Sequence, residues 1–153
     1  MTASPQDQQR HLVCPDCRTV NRAPLQRPMS EARCGACHKP LFTGHALAVD
    51  EAGFTAHVTR DHIPVLVDMW ASWCGPCQQM GPQFEAAAAR LEPQMRLIKL
   101  NVDEAQATAN RYNVRGIPAL LLFQNGKLMG QLAGLQKADA IADWARSTAL
   151  AAT

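Results

Sequence analysis

Apolar and polar residues follow two different patterns along this chain, and the change falls near residue 43. After that point, short apolar runs typical of strands are separated by stretches whose apolar residues recur every three or four positions, as in helices. Residues 65–70 are almost entirely apolar, which is typical of a central strand buried on both faces. Residues 74–91 follow with helical spacing. The pattern therefore predicts a buried strand that leads directly into a long helix.

The rest of this part of the chain continues the alternation. Further strands are predicted at 45–49, 97–102, 119–123 and 128–133. Further helices are predicted from Asp50 to about 58, up to Tyr112, and from about 138 to 149. Asn125-Gly126, between the last two strands, is a strong signal for a hairpin turn. This order predicts an α/β fold with a mixed central sheet and helices on both of its faces.

Residues 1–43 cannot fold by burial alone, because they contain few large apolar side chains. They do contain four of the six cysteines, as two Cys-x-x-Cys pairs separated by sixteen residues: Cys14, Cys17, Cys34 and Cys37. This spacing is typical of a zinc ribbon, in which each pair forms one knuckle and four thiolates surround one Zn²⁺. Disulfides or an iron site are the alternatives for these cysteines.

Pro40 and Gly44 bracket a short connector after the last of these four cysteines. We therefore predict two domains, a Cys₄ zinc-binding module at 1–43 and an α/β domain at 44–153. The metal would supply the folding free energy that the module lacks. We expect the module to unfold when zinc is lost, while the second domain, which has its own core, stays folded.

The chain shows no sign of export or membrane insertion. No segment has the length and apolar character of a membrane span, and the N-terminus has no apolar signal-peptide region. We predict a soluble protein of the cytoplasm with no membrane partner. Since a reducing cytosol disfavours structural disulfides, the cysteine pairs are expected to bind metal or to act in catalysis.

The charge is unevenly distributed, and this bears on nucleic-acid binding. The net charge of the whole chain is +2, but residues 1–43 hold six Lys and Arg against three acids, whereas residues 44–153 hold nine against ten. Four zinc-bound thiolates would largely balance the N-terminal excess. Phe42 is the only aromatic residue before residue 54, so a basic face with interleaved aromatic residues is lacking. We therefore predict no nucleic-acid partner.

The remaining two cysteines form the motif Trp73-Cys74-Gly75-Pro76-Cys77. At the start of a helix, Cys74 would receive unpaired N–H groups and the positive end of the helix dipole, and both favour a thiolate. Cys77 lies one turn later and can resolve a mixed disulfide formed by Cys74. A metal knuckle is the alternative, but the residues before and between the thiols suit a helix start better. The motif therefore predicts a redox-active disulfide in which Cys74, at the exposed helix start, is the nucleophile.

Three stretches, residues 67–77, 99–103 and 115–118, carry a resemblance to the thioredoxin family that extends over about residues 45–150. With its cysteine-rich N-terminal part, the whole chain resembles the zinc-containing bacterial branch of that family, the thioredoxin 2 type. The resemblance implies the thioredoxin fold, here preceded by a small zinc-ribbon module.

Asp68 interrupts an otherwise apolar strand, and burial of a lone carboxylate is costly, so we expect a raised pKa or a paired charge. The resemblance implies that Asp68 relays a proton to or from Cys77 and that Lys99 accompanies it. A solvent-facing Asp68 and an exposed Lys99 are the alternatives. The resemblance also implies a cis peptide bond at Ile117–Pro118 and, beside it, a surface that binds the substrate protein. That surface would consist of Trp73, Gly75, Pro76, Ile117, Pro118 and Gly134.

The function implied is that of a protein-disulfide reductase. Cys74 would attack a substrate disulfide and Cys77 would resolve the intermediate. An NADPH-dependent thioredoxin reductase would then reduce the oxidised pair, so the chain itself would bind no nicotinamide. Its partners would be that reductase and disulfide-containing substrate proteins, and it would act as a monomer. The rival function is a zinc-dependent redox sensor or chaperone, in which oxidation of the N-terminal cysteines releases the metal and exposes a binding surface.

Overall fold

The computed structural model describes residues 9–24 and 26–151. Residues 1–8 and 25 of the predicted zinc-binding module and residues 152–153 of the second domain lie outside the described residues. The strands are β1 (Gln9–Val13), β2 (Val20–Pro24), β3 (Leu47–Val49), β4 (Val65–Trp70), β5 (Arg96–Asn101), β6 (Ala119–Gln124) and β7 (Lys127–Ala133). The α-helices are α1 (Glu51–Arg60), α2 (Gly75–Leu91), α3 (Gln106–Arg111) and α4 (Ala138–Ala151), and short 3₁₀ turns form at Met29–Glu31 and Val102–Glu104.

Five strands form the main sheet in the order β3-β5-β4-β6-β7. Strands β3, β5 and β4 are parallel, whereas β6 runs antiparallel to β4 and β7 antiparallel to β6. The turn between β6 and β7 is formed by Asn125 and Gly126, both at positive φ, as a two-residue type I′ hairpin requires. The predicted mixed sheet and closing hairpin are therefore confirmed.

Each face of this sheet carries its own apolar core. On one face, side chains of β4, β5 and β6 pack against α2 and α4; examples are Leu66, Phe84, Leu122 and Ile141. On the other face, alternate residues of the same strands pack against α1 and α3; examples are Phe54, Val67, Ile98 and Ala109. Helices thus cover both faces, as predicted. Among the helices of the described residues, none has the length and apolar character needed to traverse a bilayer.

The N-terminal module is built on a hairpin that the sequence pattern did not predict. Strands β1 and β2 pair antiparallel, and the first cysteine pair lies in the loop between them. The second cysteine pair lies in a loop closed by an isolated bridge between Arg33 and Pro40. Each strand is only five residues long and mixes polar with apolar residues, so periodicity alone could not distinguish it from a loop.

The module buries its few apolar residues partly against the second domain. Leu12, Leu41 and Phe42 form one buried cluster together with Ile63, which belongs to the connection between α1 and β4. Residues 1–43 therefore have a small apolar core, which was not expected from the sequence. Ile63 of the α/β domain completes this core.

Candidate redox site and metal centre

The N-terminus of α2 holds the two cysteines of the predicted redox pair. Cys74 is the N-cap residue of α2, and its Sγ accepts a hydrogen bond from the backbone N–H of Cys77 at 3.2 Å. The two residues form a disulfide, with their Cα atoms 5.2 Å apart. Gly75 and Pro76 occupy the first helical positions, where the missing N–H of proline costs no helical hydrogen bond. The local sequence thus aims a helix N-terminus at Cys74.

The expectation that exposure separates the two thiols is wrong. Cys74 is 5% exposed and Cys77 is 4% exposed, so both are buried. Cys74 lies below the surface because it packs with Ala71 and Cys77 against Ile117, whose carbonyl oxygen is 3.7 Å from Cys74 Sγ. What distinguishes Cys74 is its position as N-cap and acceptor, since this position favours the thiolate.

The residues predicted to bind substrate flank this disulfide. Trp73 is 69% exposed, and its indole N–H donates to Asp103 Oδ2 at 2.9 Å. Gly75 and Pro76 are also exposed. Trp73 and Ile117 together line a cavity of about 230 Å³, and Ile117 also packs against Cys74. The structure therefore brings these residues together at one face.

The Ile117–Pro118 peptide bond is cis, as the resemblance implied. The carbonyl of Pro118 accepts a hydrogen bond from the N–H of Gly134 at 2.8 Å. Gly134 has φ of +102°, a conformation that side-chain-bearing residues rarely adopt. The structure thus links Gly134 to the cis-proline segment that lies against Cys74.

Asp68 lies in the middle of β4 and is 1% exposed. Its Oδ1 has no hydrogen-bond partner among the described residues. Burial raises the pKa of Asp68 to about 7, and the positive charge of Lys99 opposes part of this shift. Asp68 shares a sheet face with Leu66, which packs against α2, the helix that carries Cys77. The alternative of a solvent-facing Asp68 is therefore wrong.

Lys99 is the partner of Asp68 in the register of β4 and β5. It is partly buried, and its Nζ lies 5.0 Å from the ring centroid of Trp70. This cation–π contact holds the ammonium group of Lys99 close to the pair of strands β4 and β5, which contains Asp68. The alternative of an exposed Lys99 is also wrong.

The four N-terminal cysteines converge on one point. Their Sγ atoms all lie within 4.8 Å of one another, with 3.6 Å between Cys14 and Cys37 and 3.5 Å between Cys17 and Cys34. Tetrahedral Zn–S bonds of about 2.3 Å would place sulfurs about 3.8 Å apart. The spacing of the four sulfurs therefore fits a Cys₄ zinc site.

Both cysteine pairs adopt the same turn, which supports the predicted knuckles. The residue after each pair, Arg18 or His38, has a positive φ and donates its N–H to the carbonyl of the first cysteine of the pair, Cys14 or Cys34. Backbone N–H groups also point at the sulfurs, for example that of Ala36 at Cys34 Sγ at 3.4 Å. These donors would stabilise thiolates around a cation.

The thiols of this cluster differ in acidity. The N–H of Cys37 is the main cause that lowers the pKa of Cys34 to about 6, whereas burial raises the pKa of Cys14 to about 12. A buried thiolate at Cys14 is favourable only beside a cation. The four cysteine sulfurs therefore suit the role of metal ligands better than that of four free thiols.

Two polar residues of these sites were not found from the sequence. Asp103, which holds the Trp73 indole, lies in a stretch that carries the family resemblance, so that stretch could have pointed to it. Asn21 donates from Nδ2 to Cys34 Sγ at 3.5 Å and accepts from the N–H of Gly35 at 2.8 Å. A single asparagine in a short strand gives no signal of such a role.

Known proteins resemble both parts of the chain. The family model described as Thioredoxin matches residues 45–147, and the model described as Thioredoxin 2, N-terminal, a zinc ribbon, matches residues 13–39. Thioredoxin C-3 of Corynebacterium nephridii is 30% identical over 87% of this chain and 91% of its own length. Thioredoxin 1 of Synechococcus elongatus is 39% identical over 58% of this chain and 83% of its own length. Among solved structures, the N21Q mutant thioredoxin from Halobacterium salinarum NRC-1 is 38% identical, with a TM-score of 0.63 over 70% of this chain and 93% of that one.

Alkylation should separate the two thiols. In the reduced protein at mildly acidic pH, iodoacetamide should label Cys74 well before Cys77, because only the N-cap sulfur is stabilised as a thiolate by the helix N-terminus. Peptide mapping over time measures the order, and Cys74→Ser and Cys77→Ser variants identify each peptide. Labelling of Cys77 first would contradict the assignment.

Asp68→Asn should stabilise the oxidised protein in a pH-dependent way. The pKa of Asp68 is about 7 in the folded state against 3.8 ordinarily, so the ionised carboxylate destabilises the fold above pH 7 by up to about 4 kcal/mol. The gain from Asn should be full near pH 8 and mostly lost near pH 4, where Asp68 is protonated in the folded state and partly protonated in the unfolded state. Urea denaturation at the two pH values measures it. An equal gain at both would show that the carboxylate titrates normally.

Proposed function

The chain belongs to the thioredoxin family and is a protein-disulfide reductase, and we propose that Cys74 is the thiol that attacks the substrate disulfide. The observation that carries this assignment is the hydrogen bond from the N–H of Cys77 to Cys74 Sγ at the start of α2. A helix N-terminus stabilises negative charge on the atom that it faces, so the thiolate forms at a pH where an ordinary thiol remains protonated.

The reaction proceeds in two exchanges. The Cys74 thiolate attacks one sulfur of the substrate disulfide, which forms a mixed disulfide and releases the other substrate sulfur as a thiolate. Cys77 then loses its proton and attacks Cys74 Sγ. This step forms the Cys74–Cys77 disulfide and releases the second substrate thiolate, and both released thiolates take up protons. Two electrons have passed from the dithiol to the substrate.

Asp68 is the proposed acceptor of the Cys77 proton. Its carboxyl is buried on the sheet face that α2 covers, and its Oδ1 makes no hydrogen bond within the described chain. With a pKa of about 7 it can take up and return a proton near neutral pH. Lys99 limits the rise of that pKa, so the carboxylate remains available as a base.

The substrate protein binds as an extended segment beside Cys74. The backbone of Ile117 is the proposed hydrogen-bonding edge, because its carbonyl lies 3.7 Å from Cys74 Sγ and a strand-like segment placed there would bring its cysteine to the nucleophile. Trp73, Gly75 and Pro76 are exposed and Ile117 and Gly134 are partly exposed, so these five residues would contact the segment. Pro118 is buried, so its predicted part in substrate binding would be indirect, through the cis peptide bond that orients Ile117.

The cycle closes when another protein reduces the Cys74–Cys77 disulfide. We infer that an NADPH-dependent thioredoxin reductase does so, as the family membership suggests, so that this chain binds no nicotinamide itself. We also infer a monomer that acts in the cytoplasm on disulfide-containing proteins, with neither nucleic acid nor membrane as a partner.

The metal site is proposed to hold one structural Zn²⁺ per chain. Cys14, Cys17, Cys34 and Cys37 provide four sulfurs at tetrahedral spacing, which leaves no open position for catalysis. One observation favours the second candidate function, a redox sensor or chaperone: Cys17 is exposed, so an oxidant could reach a metal ligand. A Cys74→Ser protein that kept its full biological role would favour that function over reduction.

Substrate trapping tests whether Cys74 and Cys77 have the separate roles of attacking and resolving thiol. Cys77→Ser should reduce no insulin catalytically but should accumulate stable mixed disulfides with substrate proteins, because the resolving thiol is missing. Cys74→Ser should form none, although it keeps the same number of thiols. Non-reducing gel electrophoresis after acid quenching measures the adducts. Equal trapping by both variants would show that the two roles are not separated.

A further inference from the structure

A buried polar cluster joins the N-terminal module to the α/β domain. It consists of His57 and Asp61 from α1 and its C-cap, and Arg96 at the start of β5. It contains neither zinc ligands nor residues of the redox site. We propose that Asp61 and Arg96 form a clamp that holds the zinc module against the catalytic domain, so that zinc binding and the stability of the catalytic domain are thermodynamically coupled. This inference rests on the zinc site proposed above.

Asp61 forms one half of the clamp. Its Oδ1 accepts the backbone N–H of Val13 at 2.7 Å, and its Oδ2 accepts from His57 Nδ1 at 2.6 Å. Because an ionised carboxylate can only accept, His57 must carry its proton on Nδ1. Asp61 and His57 are each 1% exposed, so these bonds are shielded from water. The carboxylate is thereby held in one orientation toward the module.

Arg96 forms the other half. Its Nη1 donates to the carbonyl of Leu41 at 2.6 Å and its Nη2 to the carbonyl of Val13 at 3.1 Å. Its Nε lies 3.6 Å from Asp61 Oδ2, and its guanidinium lies 4.2 Å from the ring centroid of Phe42. The side chain is 2% exposed. A single forked side chain therefore contacts two separate segments of the module and the carboxylate of the opposite half.

The contacted backbone positions matter for the metal. Val13 directly precedes the first zinc ligand, and both its N–H and its carbonyl are bound by the clamp. Leu41 follows the last ligand by four residues. The clamp thus fixes both ends of the segment that contains all four cysteines. Restricting the two ends lowers the conformational entropy that must be lost when the ligands gather around a metal.

The rest of the interface supports the clamp. The ring planes of His11 and His62 stack with centroids 4.3 Å apart, and two hydrogen bonds join these residues, from the N–H of His11 to His62 Nδ1 and from the N–H of His62 to the carbonyl of His11. Ile63 adds the apolar contact described above. The module is therefore attached by buried charge, backbone hydrogen bonds and apolar packing at one place.

Loss of the metal would also destabilise the α/β domain. If the module unfolded alone, the buried Asp61–Arg96 pair and Ile63 would lose their cover at the start of β4 and β5, where the N–H of Arg96 donates to the carbonyl of Pro64. The shielded hydrogen bonds of both side chains to Val13 and Leu41 would be lost, and the apolar surface of Ile63 would be exposed to water, so the α/β domain would lose stabilising contacts. The independent unfolding expected from the sequence is thus disfavoured. By linkage, any factor by which the clamp strengthens zinc binding is also the factor by which zinc stabilises the clamped state.

Thermal unfolding with and without zinc provides the first test. The full chain, reduced and with zinc, should unfold in a single transition, and chelation should lower its midpoint by about 5 °C or more while leaving one transition. Separable modules would instead give a catalytic-domain transition at the same temperature in both samples. That outcome would overturn the proposal.

Zinc affinity of clamp variants provides the second test. All variants carry Cys74→Ser and Cys77→Ser, so that only the module cysteines bind metal, and Zn²⁺ is titrated against a chromophoric chelator. Arg96→Lys keeps the charge but replaces the two forked nitrogens that reach Leu41 and Val13 by a single one, so it should weaken zinc binding at least about tenfold. Asp61→Asn, which keeps an acceptor for Val13 but loses the charge, should weaken it as well and serves if the lysine variant does not fold.

Arg90→Lys is the matched control, because Arg90 pairs with Asp139 in an exposed bridge inside the catalytic domain. Its zinc affinity should stay within about twofold of the parent, since exposed pairs contribute little. If both clamp variants bind zinc as tightly as the parent, the proposed clamp is wrong, whereas the proposed zinc site is still supported. If the parent binds no zinc, the metal site itself is wrong.

Discussion

The burial of strand β4 at the centre of the sheet is the constraint on which the redox site depends. It pairs with β5 on one side and β6 on the other, and the residues Val65 to Met69 are all buried. A strand enclosed in this way cannot shift its register without exposing apolar side chains, so the position of its C-terminal end is fixed. The chain therefore leaves β4 at a defined point and places Cys74 at the start of α2. The same strand holds Asp68 under the helix that carries Cys77, so one element positions both the nucleophile and the proposed base.

Local patterns made these features predictable. The apolar run of β4, the helical spacing of α2 and the Asn125-Gly126 turn each act over a few residues, and the structure has them where the sequence placed them. The cysteine spacing of the module was equally informative, because the geometry of a metal site leaves few alternatives. The exposure of Cys74 was not predictable in this way. Its burial depends on Ile117, more than forty residues away, and on a peptide conformation that no local pattern encodes.

The interface between the N-terminal module and the α/β domain could not be predicted from the sequence, for a related reason. Asp61 follows a helix and Arg96 begins a strand, and at such positions charged residues are ordinarily solvated. Nothing in their neighbourhood indicates that both are buried, or that they bind the backbone of Val13 and Leu41. The packing of the N-terminal module against them, including Val13 of β1 and the segment of Leu41 and Phe42, removes them from water. Contacts between residues so far apart in the chain depend on tertiary structure, which periodicity does not record.

Two aspartates of this protein show how the surroundings decide between structure and chemistry. Asp61 and Asp68 are each 1% exposed. Asp61 accepts hydrogen bonds from Val13 and His57 and faces Arg96, so its charge is compensated and serves to join two parts of the chain. Asp68 has an oxygen without any hydrogen-bond donor among the described residues, and burial raises its pKa to about 7. Because Asp68 lacks a hydrogen-bond donor for one oxygen, its burial costs folding free energy. The same lack of a partner allows Asp68 to exchange a proton near neutral pH.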